Sequence, residues 1–152
     1  MTESAPTTAP ATRSVIVERV FPHAPAKVWR ALTESELIAQ WLMANDFKPV
    51  VGHTFNFRMT PTPHWNGVTD CRVTVVEPPK RLAYTWESSG SEKKDGTRTL
   101  VTFTLTPEQS GTRLRMEHSG FSPEGEGFYQ GAKYGWQKFV TQLEEVVAKL
   151  SR

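Results

Sequence analysis

The sequence predicts an α+β fold in which one curved antiparallel sheet of about six strands packs against a long C-terminal helix. Three observations predict it. From about Gly127 to Leu150 apolar residues recur at alternating steps of three and four. Between Phe55 and His118 five stretches alternate apolar and polar residues. Two short helical patterns stand between the first strand and those five. A sheet of this length curls to bury one face, and the terminal helix is the element left to fill its concavity.

In the last helix Ala132, Trp136, Phe139, Val140, Leu143, Val146, Val147 and Leu150 draw one apolar stripe, the signature of a helix with one covered face. Tyr129, Lys133, Gln137, Thr141, Glu144, Glu145 and Lys149 fall mostly on the other side. Glu124 and Glu126 suit the positive end of the helix dipole, and Lys149 and Arg152 the negative end. At ~1.5 Å per residue the helix spans roughly 35 Å. Its first half holds Gly131, Ala132 and Gly135 among Phe128, Tyr129, Tyr134 and Trp136. An interior glycine costs about 1 kcal/mol against alanine, so each needs a reason. Either a neighbouring strand approaches closely, or the small residues leave room for a ligand.

Taken in order, Met1–Arg13 is a Thr, Ala and Pro tail with little to bury, expected to be disordered, and 14–152 is expected to be one domain. Ser14–Phe21 is strand-like, with its facing left open: Val15, Val17 and Phe21 share a side with Arg19, Ile16 and Val20 one with Glu18. Pro25 suits the first turn of a short helix running to about Leu32. Thr33-Glu34-Ser35-Glu36 reads as a capping box opening a second, with Leu37, Ile38, Trp41 and Leu42 as its apolar face. Trp29 and Trp41 are expected core anchors.

Then the period becomes two. Phe55, Phe57 and Met59; Cys71, Val73 and Val75; Leu82, Tyr84 and Trp86; Val101, Phe103 and Leu105; and Leu114, Met116 and His118 alternate with polar neighbours, as in strands with one wet face. Asn66-Gly67, Glu77-Pro78-Pro79-Lys80, Asp95-Gly96 and Gln109-Ser110-Gly111 supply turns between them.

Composition narrows the function. With 18 Lys and Arg against 16 Asp and Glu, signs interleaved, no basic stripe marks a nucleic-acid surface. The single Cys71 forms no internal disulfide and fits a reducing cytosol, so a cytoplasmic location is expected. No apolar run reaches bilayer length, and no membrane association is expected. His23, His53 and His64 have no metal-site spacing, and no Ser-centred elbow, P-loop or dinucleotide fingerprint occurs, so neither metal nor cofactor is expected.

A pocket is expected where the helix is rich in glycine, lined by inward strand residues: Phe55, Phe57, Met59, Val73, Tyr84, Trp86, Phe103, Met116 and His118, with Phe128, Ala132, Gly135 and Trp136 from the helix. Trp65 and Phe121 lie in connectors and read as gates at its mouth, contacts to a second subunit, or a cluster beneath a loop. Tyr84, Trp86 and His118 are its polar-tipped members. Each either orients a ligand or is satisfied by a local partner, and His118 is also a candidate acid–base. The leading expectation is a small apolar or aromatic ligand, bound without a cofactor by a monomer or homodimer.

Phe21-Pro22-His23-Ala24-Pro25 followed by Val28-Trp29, Leu37-Ile38-Ala39-Gln40-Trp41, Glu77-Pro78-Pro79-Lys80-Arg81-Leu82, Val101-Thr102-Phe103-Thr104-Leu105, and His118-Ser119-Gly120-Phe121 followed by Gly135-Trp136 stand in one order over residues 14 to 150. They resemble the group similar to the activator of the ninety-kilodalton heat-shock protein ATPase, within the START-like (birch-pollen-allergen-like, SRPBCC) superfamily. The resemblance implies a helix-grip architecture enclosing an apolar cavity. It also implies two alternative functions. One is a polyketide cyclase- or hydrolase-like enzyme, for which the inward residues offer His118 as acid–base with Tyr84 assisting. The other is a regulator of a chaperone ATPase, the weaker expectation because the chaperone activator has an additional N-terminal domain without counterpart here.

Overall fold

The computed structural model describes residues 13–60, 67–88, 98–121 and 126–150, of which 88, 98 and 126–128 are described by their backbone alone. The elements run β1 (Arg13–Phe21), α1 (Pro25–Thr33), α2 (Ser35–Trp41), β2 (Ala44–Asn45), β3 (Thr54–Arg58), β4 (Val68–Glu77), β5 (Arg81–Ser88), β6 (Arg98–Glu108), β7 (Gly111–Phe121) and α3 (Glu126–Lys149). The strands form one antiparallel sheet ordered β1-β7-β6-β5-β4-β3-β2. This is the curved sheet with a C-terminal helix expected from the sequence. It has one strand more, because a pairing as short as β2, Ala44 with Arg58 and Asn45 with Phe57, leaves no alternation to read.

The open facing of the first strand is settled by burial. Val15, Val17 and Phe21 point inward, and Ile16, Glu18 and Val20 outward. Arg19, on the inward side, reaches α3 and bonds Glu144 Oε1 at 3.2 Å through its Nη1. At the β6–β7 turn Gln109 takes a positive φ of 44°. A Cβ on Gly111 would collide with the Phe21 carbonyl oxygen, so this glycine is required by close approach of the chain.

α1 begins at Pro25 as expected. The capping box does not form: Thr33 ends α1 and gives its hydroxyl to Trp29 O at 2.8 Å. α2 then starts after Glu34 with no side-chain cap. Ser35 instead donates to Asn45 Oδ1 at 2.9 Å, tying α2 to β2. Trp41 is the anchor expected, with Nε1 donating to Ala31 O at 2.8 Å, whereas Trp29 is only half-buried.

The two halves of α3 differ. Trp136, Val140, Leu143, Val146 and Val147 are buried, and burying one such side chain contributes ~1.5–3 kcal/mol. From Tyr129 to Gly135 no residue is buried, and Tyr134 is 77% exposed. No helix among the described residues is long and apolar enough to cross a membrane.

Candidate functional site

Strand parity carries Tyr84 and Trp86 of β5 to the inner face, where Tyr84 lies between Val73 of β4 and Val101 of β6, and Trp86 opposite Thr99. Around them the interior is built of rings. Tyr84 lies 5.4 Å from Phe55, 6.0 Å from Phe57 and 6.1 Å from Phe103 between centroids. Trp86 lies 5.3 Å from Phe57, 5.4 Å from His118 and 5.5 Å from Trp136. These separations are those of rings in mutual contact, so the inward set is packed upon itself. Phe47, which the sequence reading missed, joins it at 5.2 Å from Phe55 and 6.0 Å from Tyr84. It stands in a connector, where no periodicity could have marked it.

On the β7 side every polar atom of the cluster has a role. His118 is 1% exposed. Trp136 Nε1–H donates to its Nδ1 at 2.9 Å, so that nitrogen carries no proton. Nε2 is then the N–H of a neutral ring and donates to Thr99 Oγ1 at 2.6 Å. The Thr99 hydroxyl in turn donates a hydrogen bond to Trp86 O at 2.8 Å. Burial holds the histidine neutral and pushes its pKa down to about 3. Thr99 was also missed. Extending the alternation of Val101, Phe103 and Leu105 back by one step would have found it.

The β5 side is different. Tyr84 is 1% exposed and Trp86 7%, yet among the described residues neither the Tyr84 hydroxyl nor the Trp86 indole N–H has a hydrogen-bond partner. The buried hydroxyl of Thr69, on the inner face of β4, has none either. A buried donor or acceptor left so costs about 1–3 kcal/mol. Burial also drives the Tyr84 phenol well above its ordinary pKa, so it stays protonated and a donor. Cys71, neighbouring Thr69 on this face, is buried with its thiol pushed up chiefly by burial, the reverse of an activated nucleophile.

The remaining expected lining residues divide. Val73, Met116 and Trp136 are buried in the same cluster. Met59 is 51% exposed, one residue beyond the end of β3, so its parity does not carry it inward. Phe121 is not in a connector: it closes β7, is fully buried, and lies 4.5 Å from His118 and 5.4 Å from Tyr129 between centroids. Tyr129, expected on the wet side, is half-buried against it, with the Arg13 guanidinium 4.1 Å above its ring. Ala132 and Gly135 are half-buried. A Cβ on Gly131 would meet nothing within 4 Å, and one on Gly135 only Phe139 at 3.6 Å, so no close approach explains either glycine. Trp65 and the Phe128 side chain lie outside the described residues. A cleft of about 360 Å³ lies along β3, β4 and β5, lined largely by polar residues, among them Asp46, Asn56, Asp70, Arg72, Thr85 and Glu87, and touched by Phe55 and Cys71.

A long helix gripped by a curved antiparallel sheet over an aromatic interior defines a START-like domain, a class built for ligand binding. Residues 22–148 match the family described as Activator of Hsp90 ATPase homolog 1-like protein, and the chain belongs to that family. A crystal structure of the Mesorhizobium loti protein MLL2253 is 48% identical, with a TM-score of 0.83 over 92% of this chain and 100% of that one. A solution structure from Bacillus halodurans is 32% identical, with a TM-score of 0.71 over 89% and 96%. The Aha1 dimer from Colwellia psychrerythraea shares the fold at 23% identity, with a TM-score of 0.74 over 89% and 96%. No curated protein matches the sequence.

Proposed function

We propose that this protein is a cytoplasmic binding protein for a small, largely apolar and aromatic ligand, taken into the ring-lined interior without a cofactor. One observation carries the reading: among the described residues Tyr84 and Trp86 hold buried donors without a hydrogen-bond partner, within a wall of aromatic rings. Two such groups unmet on one strand, beside a histidine whose two ring nitrogens are both engaged, support a ligand that meets them. Ring contact supplies affinity and the donors supply orientation. Because the rings already touch, binding displaces them, and the sparsely buried first half of α3 is the wall that yields most readily.

His118 serves this site as a fixed support. With both ring nitrogens engaged and the ring held neutral, it has no free position for proton transfer, so the geometry favours binding over cyclase or hydrolase chemistry. Titration of the intrinsic tryptophan fluorescence with a panel of apolar aromatic compounds tests the proposal, since Trp86 and Trp136 lie within the cluster. A saturable change is expected; none across the panel overturns it. The family's name favours a second reading, regulation of a chaperone ATPase. Stimulation of such an ATPase by the purified chain would support it.

A further inference from the structure

Resting on that ligand-binding reading, we propose that the ligand is a neutral, planar aromatic carbonyl compound whose oxygen accepts hydrogen bonds from the Tyr84 hydroxyl and the Trp86 indole N–H. Three features of the interior lead there. The first is donor count. An indole N–H only donates, and a phenol both donates and accepts, so acceptors satisfy both groups while a ligand bearing only ammonium donors leaves Trp86 unmet. The two residues stand two apart on β5 and face the same side, at a Cα separation of about 7 Å for an extended strand. Both donors can therefore be met from one side, by carbonyl oxygen on one edge of a flat molecule.

The second feature is charge. The buried residues among those described include no Lys, Arg, Asp or Glu, and the buried histidine is neutral and engaged on both nitrogens. A carboxylate or ammonium would enter without a counter-charge and lose its hydration, whereas a neutral carbonyl gives up far less. The third is shape. The rings around Tyr84 and Trp86 include Phe47, Phe55, Phe57, Phe103, His118 and Trp136, which favour a ring over a flexible chain.

The test uses 9-fluorenone against fluorene, which share a ring system and differ at the carbonyl, titrated calorimetrically into the full chain and into its Tyr84→Phe and Trp86→Phe variants. Wild type is expected to bind fluorenone about fivefold or more tighter than fluorene, the worth of one net hydrogen bond. Tyr84→Phe is expected to erase most of that preference through weaker fluorenone binding, with fluorene binding as before. Equal binding of both compounds by wild type, or a preference untouched in both variants, overturns the carbonyl proposal and leaves ligand binding standing. Binding of neither compound, with saturable binding of aliphatic probes, overturns the ligand class alone, and binding of no probe overturns the function as well. Stability gives an arm that needs no ligand. Loss of an unpartnered hydroxyl is expected to leave the melting temperature of Tyr84→Phe unchanged or raised, and a clear fall would reveal a protein partner and overturn the proposal.

Discussion

Two buried threonines mark the difference between the two sides of this interior. Thr99 of β6 stands between His118 and Trp86 and is bonded to both. Thr69 of β4 is as deeply buried, yet among the described residues its hydroxyl meets no partner. The same contrast separates Trp136, whose indole N–H ends on His118, from Trp86, whose indole N–H ends on nothing described. One wall is closed by its own hydrogen bonds and behaves as scaffold; the other keeps polar groups in reserve. Burial alone would not show this, since the residues of both walls are buried.

The largest expected effect breaks the closed wall from within. His118 is neutral in the fold with a pKa of about 3, whereas in the unfolded chain it titrates near the ordinary histidine value of 6.5. The folded value is the lower, so the unfolded state takes up the proton first. The contribution is fully present above pH 6.5 and is lost as pH falls from there toward 3. The loss runs at about 1.4 kcal/mol per pH unit, or on the order of 3 kcal/mol by pH 4. Urea denaturation from pH 7 to 4 measures it against His118→Gln. The variant is expected to be the weaker at pH 7, with its deficit shrinking in acid; a deficit independent of pH would place the histidine's proton elsewhere.

Next in size is Thr99→Val, which keeps the shape and removes the hydroxyl that accepts from His118 and donates to Trp86 O. Leaving a buried N–H unmet predicts a loss of about 2 kcal/mol in chemical denaturation. A smaller effect sharpens the comparison along α3. Its second half is held by buried side chains, while Gly131 in its first half is exposed and has open space where a Cβ would go. Gly131→Ala is therefore expected to stabilise by about 1 kcal/mol and to slow amide hydrogen exchange around residues 129–135 more than around 140–149. Equal slowing in both halves would mean that α3 opens as one unit.

The fold was largely legible because its signals are local. Period two in five stretches, Pro25 at a helix start and the long stripe from Ala132 to Leu150 each specify an element within a few residues. The misses are elements whose identity is tertiary. β2 exists only through pairing with β3, and within the expected capping box the Thr33 hydroxyl turns back to Trp29 O while Ser35 bonds Asn45, ten positions away. For the site, parity placed Tyr84, Trp86 and His118 inside, but parity says nothing of partners. Whether an inward polar tip is satisfied depends on residues such as Thr99 and Trp136, 19 and 18 positions from His118. Met59 shows the opposite limit: alternation continued past the end of the strand it was read from.

The smallest expected effect is the most discriminating. Thr69→Val makes the same exchange as Thr99→Val, in a strand, at a similarly buried position, between residues of nearly equal volume. Were burial of the side chain all that mattered, the two variants would lose stability alike. If instead the hydroxyl at residue 69 has no partner, its removal relieves a desolvation cost, and the variant is expected to match wild type or exceed it by about 0.5–1 kcal/mol. Denaturation of the two variants side by side reads this directly, because transfer and packing terms largely cancel between them. A loss near 2 kcal/mol for Thr69→Val would mean that this wall is closed like the other, and would remove the reason to look for a ligand beside it.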